Sequence, residues 1–336
     1  MKYVDKYNIS LPLAVFLCHE TYDHNPDPMA ISTTTFNKPM REVVLARQNC
    51  DMEKVVDISQ LISSRMGTAI HDGAEAAWRN PDAIKNALQA KGMSSIADRI
   101  IINPSHLELS LDSNLLPVYL EQRVSKKLEG YLVTGKFDIV YGGQLADYKS
   151  TTVWSYIFGS NVQDYIRQGS IYRYLAPDKI TSDVIEIQYL FTDWSKQRAL
   201  QDKEYPQAKY LTKHFPLWPL DKTEMYLIGR LQMLKNLLPK PQSELPRCTK
   251  EELWQGDTVW KYYKDPTKMA RASKNFDSKD NPNAERDAQA HLMDQGGTGK
   301  IVEFPGLCRR CKYCSVIEIC DQAAMLKEQG LLALDD

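Results

Sequence analysis

Residues 135–152, GKFDIVYGGQLADYKSTT, constrain the fold of this chain more than any other stretch. Apolar residues run up to a Tyr-Gly-Gly at 141–143 and resume beyond it. Adjacent glycines between two such runs signal a tight β-hairpin, whose turn needs left-handed backbone at its central positions. Beyond Lys136, this apolar unit holds two carboxylates and an ammonium: Asp138, Asp147 and Lys149. Side chains two apart on a strand share a face, so Asp147 and Lys149 point one way and Tyr148 the other. Hairpin pairing brings Asp138, on the preceding strand, within one metal's reach of Asp147. Two carboxylates in an apolar sheet raise each other's pKa and are costly if left uncompensated. A Mg²⁺ or Mn²⁺ ion removes that cost, taking both carboxylates, the Tyr148 backbone carbonyl and waters. Lys149 then stands beside the metal, able to orient a water or stabilise charge on a phosphoryl group. The bland alternative for Asp147 and Lys149 is a buried salt bridge.

The rest of the chain supplies a frame for this hairpin. Ile58, Leu61, Ile62, Met66, Ile70, Ala74 and Ala77 recur at helical spacing over residues 57–79, and Asn-Pro-Asp stops the helix. A second helix is expected over 82–91, strands through 107–149, a helix over 161–175, a strand in SDVIEIQYLFTDW and an amphipathic helix over 221–238. The order helix, hairpin, helix, strand is that of a mixed α/β core with its chemistry on central strands. The linker-like PKPQSELPRC then divides a core of residues 1–238 from an extension of residues 239–336 that packs back on it. The run ISLPLAVFLC reads as a core strand or helix rather than a signal peptide, and no apolar run approaches the roughly 18–20 residues of a membrane span. No membrane contact is expected.

Four of the seven cysteines crowd into CRRCKYCSVIEICDQ as Cys308, Cys311, Cys314 and Cys320. Short spacings let several thiolates converge on one centre, and the pattern suggests metal ligation in a reducing, cytoplasmic compartment rather than disulfides. Zinc and a [4Fe–4S] cluster both suit four thiolates. Cys18 and Cys50 read as small core hydrophobes. The formal net charge of −1 excludes an overall basic field, so nucleic-acid contact must rest on local patches. Candidates are Lys38, Arg41, Arg65, Arg123, Lys126, Lys127, Arg167, Arg173, the basic run over 261–274, and Arg309, Arg310 and Lys312. Trp260, Tyr262, Tyr263 and Tyr313 lie among them as stacking aromatics. For any one of these, a solvated face is the simpler reading.

VTGKFDIV…LADYKST resembles the PD-(D/E)XK (restriction-endonuclease-like) nuclease core in its RecB-like form. That resemblance implies a metal-binding histidine on an upstream helix, matched by His71 in GTAIHDGAE. It also implies a Q-x-x-x-Y helix after the lysine strand, matched by Gln168 and Tyr172, whose implied role is to position Lys149 and the substrate backbone. Glu75 shares the His71 helix face, and Glu121 is a weaker candidate read as a solvated strand carboxylate. RecB-like nucleases of this kind often end in C-x2-C-x5-C, which binds iron–sulfur with one distant cysteine, and Cys311, Cys314 and Cys320 match it. The fourth ligand departs from the pattern: Cys308 is the local choice on spacing, and Cys248 in LPRCTKEELW the distant one. LPLAVFLCHETYDHN, ISTTTFNKP and CKYCSVIEICDQ are similar in layout to RecB-like exonucleases of bacteriophage genomes. The resemblance implies a divalent-metal-dependent deoxyribonuclease, exonuclease rather than endonuclease, acting on DNA in recombination, repair or degradation. It would work in the cytoplasm of a bacterial host, with a recombination or replication partner protein and a homo-oligomeric state both compatible. The rival is a non-catalytic DNA-binding or assembly protein on the same fold, stabilised by a zinc or iron–sulfur site.

Overall fold

The computed structural model describes residues 2–19, 25–52, 55–159 and 161–333. Tyr22 and Asp23, part of the amino-terminal layout, lie outside them. The chain folds as two units, Met1–Asn37 with Asp51–Met233, and Lys38–Cys50 with Leu234–Asp336. In chain order the elements are β1 (Lys2–Val4), α1 (Leu11–Cys18), β2 (Ala30–Ser32), α2 (Met40–Gln48, in the second unit), β3 (Val55–Asp57), α3 (Ile62–Trp78), α4 (Pro81–Ala90), β4 (Ile100–Ile102) and α5 (His106–Leu111). Then come β5 (Leu116–Leu128), β6 (Tyr131–Tyr141), β7 (Gln144–Thr151), α6 (Val153–Ile157), α7 (Val162–Leu175), β8 (Val184–Phe191), α8 (Lys196–Gln201), β9 (Tyr210–Pro216) and α9 (Leu220–Leu237). The chain closes with β10 (Val259–Tyr263), β11 (Lys274–Asp277), α10 (Ala284–Asp294), β12 (Lys300–Phe304) and α11 (Asp321–Glu328). Among the described residues no helix is long and apolar enough to cross a membrane.

The first unit is a mixed α/β layer structure. Its seven-stranded sheet runs β4-β5-β6-β7-β8-β9, with β2 beside β6. β5, β6 and β7 are antiparallel, whereas β7–β8, β4–β5 and β2–β6 are parallel. Gly142 and Gly143 form the hairpin turn with φ of 53° and 84°, the left-handed pair that a two-residue turn between twisted strands demands. β8 shows why such segments become strands: Ile185, Ile187, Tyr189 and Phe191 are buried while Val184, Glu186, Gln188 and Leu190 are half-buried. One sheet face packs Phe137, Val140, Leu145, Ile185 and Ile187 with Tyr172 of α7. The other packs Val118, Leu120, Ile139 and Ala146 with Trp78 of α3. α4 starts where Asn80 Oδ1 accepts from the Asp82 amide, with Pro81 at the first helical position, a favoured N-terminus.

The expected helices and the hairpin are present, and three expectations change. α1 is a helix but not a core one: Leu17 is buried, while Leu11 and Val15 are 76% and 62% exposed. Its eight residues are apolar on every side, so the helix has no polar face to leave outside. Arg41 and Arg65 do not face a solvent channel. Both are buried, with Arg65 Nε donating to the Leu17 carbonyl. Arg41 donates to the Leu245 carbonyl and ion-pairs with Asp321. Burying a guanidinium is affordable only when its donors find acceptors, and the partners of Arg41 place residues 38–50 in the second unit rather than the first.

The second unit contains a small antiparallel sheet, β11-β10-β12, where the sequence showed only a basic stretch and a polar run. Tyr262 and Tyr263 of β10 are its core, 2% and 4% exposed. They are therefore not stacking platforms for a nucleic acid. Arg41 and Glu42 of α2 meet the cysteine segment: Glu42 Oε2 accepts from Arg310 at 2.8 Å and Glu42 Oε1 pairs with Lys38 at 2.9 Å.

Candidate functional site

β6 and β7 are partners only near the turn, from Tyr141↔Gln144 to Ile139↔Ala146. Beyond that point β6 pairs with β2 and β7 with β8. Asp138 and Asp147 are the residues at the fork. Asp138 Oδ2 accepts from the Tyr148 amide at 3.3 Å and lies 3.1 Å from His71 Nδ1 on α3. Asp147 Oδ2 lies 2.5 Å from Lys149 Nζ. That oxygen is buried without an aligned hydrogen-bond donor, so its contact with Lys149 is one of charge rather than of directed bonding. As alternation requires, Tyr148 packs with the α3-side core, whereas Lys149 Nζ sits 5.4 Å from the Tyr165 ring of α7.

The sequence misplaces Glu121. On β6, Phe137 and Val140 both belong to the α7-side core and Ile139 to the other face, so alternation breaks at Asp138. On β5 the break falls opposite: Tyr119 and Val124 pack on the α7 side and Leu120 on the α3 side. The ladder pairs Leu120 with Ile139 and Gln122 with Phe137 but skips Glu121 and Asp138. Glu121 has φ 51°, a left-handed conformation that costs an L-residue roughly 1–2 kcal/mol. Asn103, itself at φ 49°, supports it: its Oδ1 accepts from the Leu120 amide at 2.8 Å and from Gln122 Nε2 at 3.1 Å. This paired step brings Glu121 and Asp138 to His71. One ligand atom from each of the three lies within 4.8 Å of the others. Period-two reading cannot find this; an acid near the end of an apolar strand, opposite Asp138 in the hairpin register, is the signal that could have.

The electrostatics follow from burial. Burial pushes the Asp147 carboxyl up to about 6, against the pull of Lys149 and with the help of Asp138. Burial disfavours the Lys149 ammonium, but Asp147 and Asp138 outweigh it and hold its pKa above that of an ordinary lysine. The hydrogen bond to Asp138 raises His71, and burial raises Glu121 despite its 2.6 Å contact with Lys136 Nζ. These six groups come from three strands and a helix with their charges already balanced in three pairs. A divalent cation suits the donor set of one imidazole and two carboxylates, His71, Glu121 and Asp138.

Gln168 and Tyr172 serve the frame. Gln168 Nε2 donates to the Tyr172 hydroxyl at 2.8 Å, which donates to the Lys136 carbonyl at 2.9 Å. They fix β6 two residues before Asp138, and the ring beside Lys149 is that of Tyr165. Gly135 is required there, because a Cβ would come within 2.2 Å of Thr33 Oγ1 and 2.6 Å of Tyr172 Cε1. Glu75 lines the His71 cavity with Trp78 and Tyr148 and accepts from Arg79 at 2.7 Å.

In the second unit, Cys248, Cys311, Cys314 and Cys320 line one cavity with about 400 Å³ of space not filled by protein atoms, part of it open to solvent. Gln322 positions Cys248 from both sides, accepting from its amide at 2.8 Å and donating to its carbonyl at 3.0 Å. Cys308 is wholly buried. It bridges Gln255 and Leu332 through its backbone, and it is not among the cavity's lining residues. Cys308 packs in one cluster with Cys311 and Cys248, and of the two candidates for the fourth ligand it is Cys248 that lines the cavity. Burial pushes the Cys248 thiol up to about 12 and Cys311 up to about 11. Such thiols bind a metal only by giving up their protons to it.

No family model matches this sequence, and no curated protein matches it either. A solved structure described as the crystal structure of SSO0001 is similar over 69% of this chain and 86% of that one, at 15% identity and a TM-score of 0.35.

Proposed function

We propose that the first unit is a divalent-metal-dependent DNA exonuclease with a PD-(D/E)XK core of the RecB-like form, acting in DNA recombination, repair or degradation. The observation that carries this reading is the fork. His71, Glu121 and Asp138 converge where β6 and β7 part, with the Asp147–Lys149 pair within electrostatic reach. His71, Glu121 and Asp138 would hold a Mn²⁺ or Mg²⁺ ion, with Asp147, outside that group and paired with Lys149, beside it; bound there, the ion would supply a lowered pKa for water and polarisation of the phosphodiester. The imidazole in the set favours Mn²⁺. Lys149, held protonated by its acids, offers a fixed positive charge to a phosphate oxygen where charge develops. Tyr165 seats that ammonium, and the Gln168–Tyr172 chain holds β6 so that Asp138 keeps its place.

The second unit's cysteines are read as ligands of a [4Fe–4S] cluster, with Cys248 completing Cys311, Cys314 and Cys320. Protein purified without air is expected to be brown, with about four irons per chain; a colourless protein carrying zinc would replace this part of the reading.

The nuclease reading is tested with end-labelled single- and double-stranded DNA in a panel of divalent ions. Wild-type protein is expected to digest linear DNA with Mn²⁺, and Lys149→Ala to fold without digesting. DNA binding without cleavage under every ion would favour the non-catalytic rival.

A further inference from the structure

Trp254 stands in a backbone conformation that its side chain opposes. Residues 249–255 form a helical turn ending in a Schellman motif: the Gln255 amide donates to the Lys250 carbonyl and the Trp254 amide to the Glu251 carbonyl. The residue at the left-handed position of this motif is normally glycine. Here it is Trp254, at φ 48°, and a bulky residue there is a genuine outlier. Core packing does not explain it, because Trp254 is 50% exposed. Its ring centroid lies 5.9 Å from that of Tyr313, which is 67% exposed and sits between Cys311 and Cys314.

Cations surround the two rings. The Arg310 guanidinium lies 5.8 Å from the Trp254 ring centroid and Lys312 Nζ 5.2 Å from that of Tyr313. Arg309 is exposed beside them. The acid nearest in sequence, Glu252, is turned back onto its own turn through the Thr249 amide. Both aromatics are fixed to one scaffold, since the Arg309 and Arg310 amides donate to the Leu253 carbonyl at 3.2 and 3.1 Å.

We propose that Trp254 and Tyr313 form a stacking clamp for unpaired bases of a nucleic-acid strand, whose phosphates Arg309 and Lys312 take up, the Arg310 charge being held by Glu42. Flat rings held open to solvent with interleaved cations suit single strands, because every base has a π-face and every linkage a charge. The inference rests on the nuclease reading for its choice of nucleic acid as partner, but it concerns binding in the second unit and can fail or stand separately.

The test uses the full chain with Ca²⁺ in place of Mn²⁺, and fluorescence anisotropy of a labelled oligothymidylate, its abasic counterpart and a duplex. Trp254→Gly removes the ring while placing the residue the turn prefers, so the fold is kept. Tyr313→Ala is the second variant. Each is expected to weaken oligothymidylate binding about tenfold, the range of one lost base–aromatic stack, and to leave abasic binding within about twofold of wild type. Unchanged oligothymidylate binding, equal losses on both strands, a preference for duplex, or no binding of any oligonucleotide would overturn the clamp. Hydrolysis with Mn²⁺ of bis(p-nitrophenyl) phosphate, which carries no nucleobase, reports the fork alone. Its absence in wild type with the binding losses intact would sink the nuclease reading and leave the clamp standing.

Discussion

The strand fork and the cysteine cavity both gather ligand groups from distant parts of the chain, but they keep their shape by different means. At the fork each charge has a protein partner: His71 with Asp138, Lys149 with Asp147, Lys136 with Glu121. The groups stand on strands whose ladders hold whether or not an ion is bound. The cavity has little of this. Cys311 and Ile317 lie in single 3-10 turns, and burial keeps the thiols neutral. Lines of buried thiol around unfilled space gain little from one another. A site of paired charges is preorganised by its frame, whereas a site of neutral thiols is organised by what it binds.

The largest expected effect would break this comparison if it failed. Removing the metal centre proposed for the cysteines, or changing Cys311→Ser, is expected to melt the cysteine segment, since structural metal centres contribute on the order of 10 kcal/mol to folding. Hydrogen exchange should then rise over residues 245–333 while the amides of β5 to β8 stay protected. Dialysis against EDTA should leave the exchange of β5 to β8 unchanged; a loss of protection there would show that the fork also depends on its ion.

Next in size, Lys149→Ala is expected to lower Mn²⁺-dependent cleavage by about 10²–10³-fold, the usual cost of one preorganised electrostatic donor. Thermal unfolding should show a second consequence. Without Lys149 the buried Asp147 loses its counter-charge, so Mn²⁺ should raise the Tm of this variant more than that of wild type.

Glu121→Gly sharpens the contrast between strain and function. Glycine accepts φ 51° without cost, so up to about 1–2 kcal/mol of strain is relieved. Mn²⁺ binding, followed by titration calorimetry, should weaken at least tenfold. A variant neither more stable nor weaker in binding would remove Glu121 from the site.

The smallest effect concerns Glu42. Burial acts against its carboxylate, but Lys38 and Arg310 prevail and hold its pKa below the usual 4.5. Its contribution is therefore complete above about pH 4.5 and is lost as pH falls through the lowered value. Denaturant melts of wild type and Glu42→Gln should differ at pH 7 and converge in acid.

Much of the first unit was legible locally. Gly142 and Gly143 announce the turn, β8 alternates, and α3 carries its apolar stripe, because each signal depends on neighbours a few residues away. His71 and Lys149 were legible for the same reason, as polar residues at fixed places in regular elements, and Asp138 and Asp147 as acids of the hairpin, but the group that meets is His71, Glu121 and Asp138, without Asp147. Glu121 was not, because its direction depends on a paired break in two strands and on the side chain of Asn103. Cys248 was legible only as a distant alternative to Cys308, because Gln322 places it from the far end of the unit. Arg41 was misread for want of Leu245 and Asp321.

The sequence by itself determined the elements, the hairpin and the kinds of chemistry carried by its acids, imidazole and thiols. Which of those groups meet was decided by the tertiary structure alone. Periodicity reports the face a side chain takes in a regular element, whereas a left-handed strand residue, a buried guanidinium or a fourth thiolate is stabilised only by partners that folding brings from far along the chain.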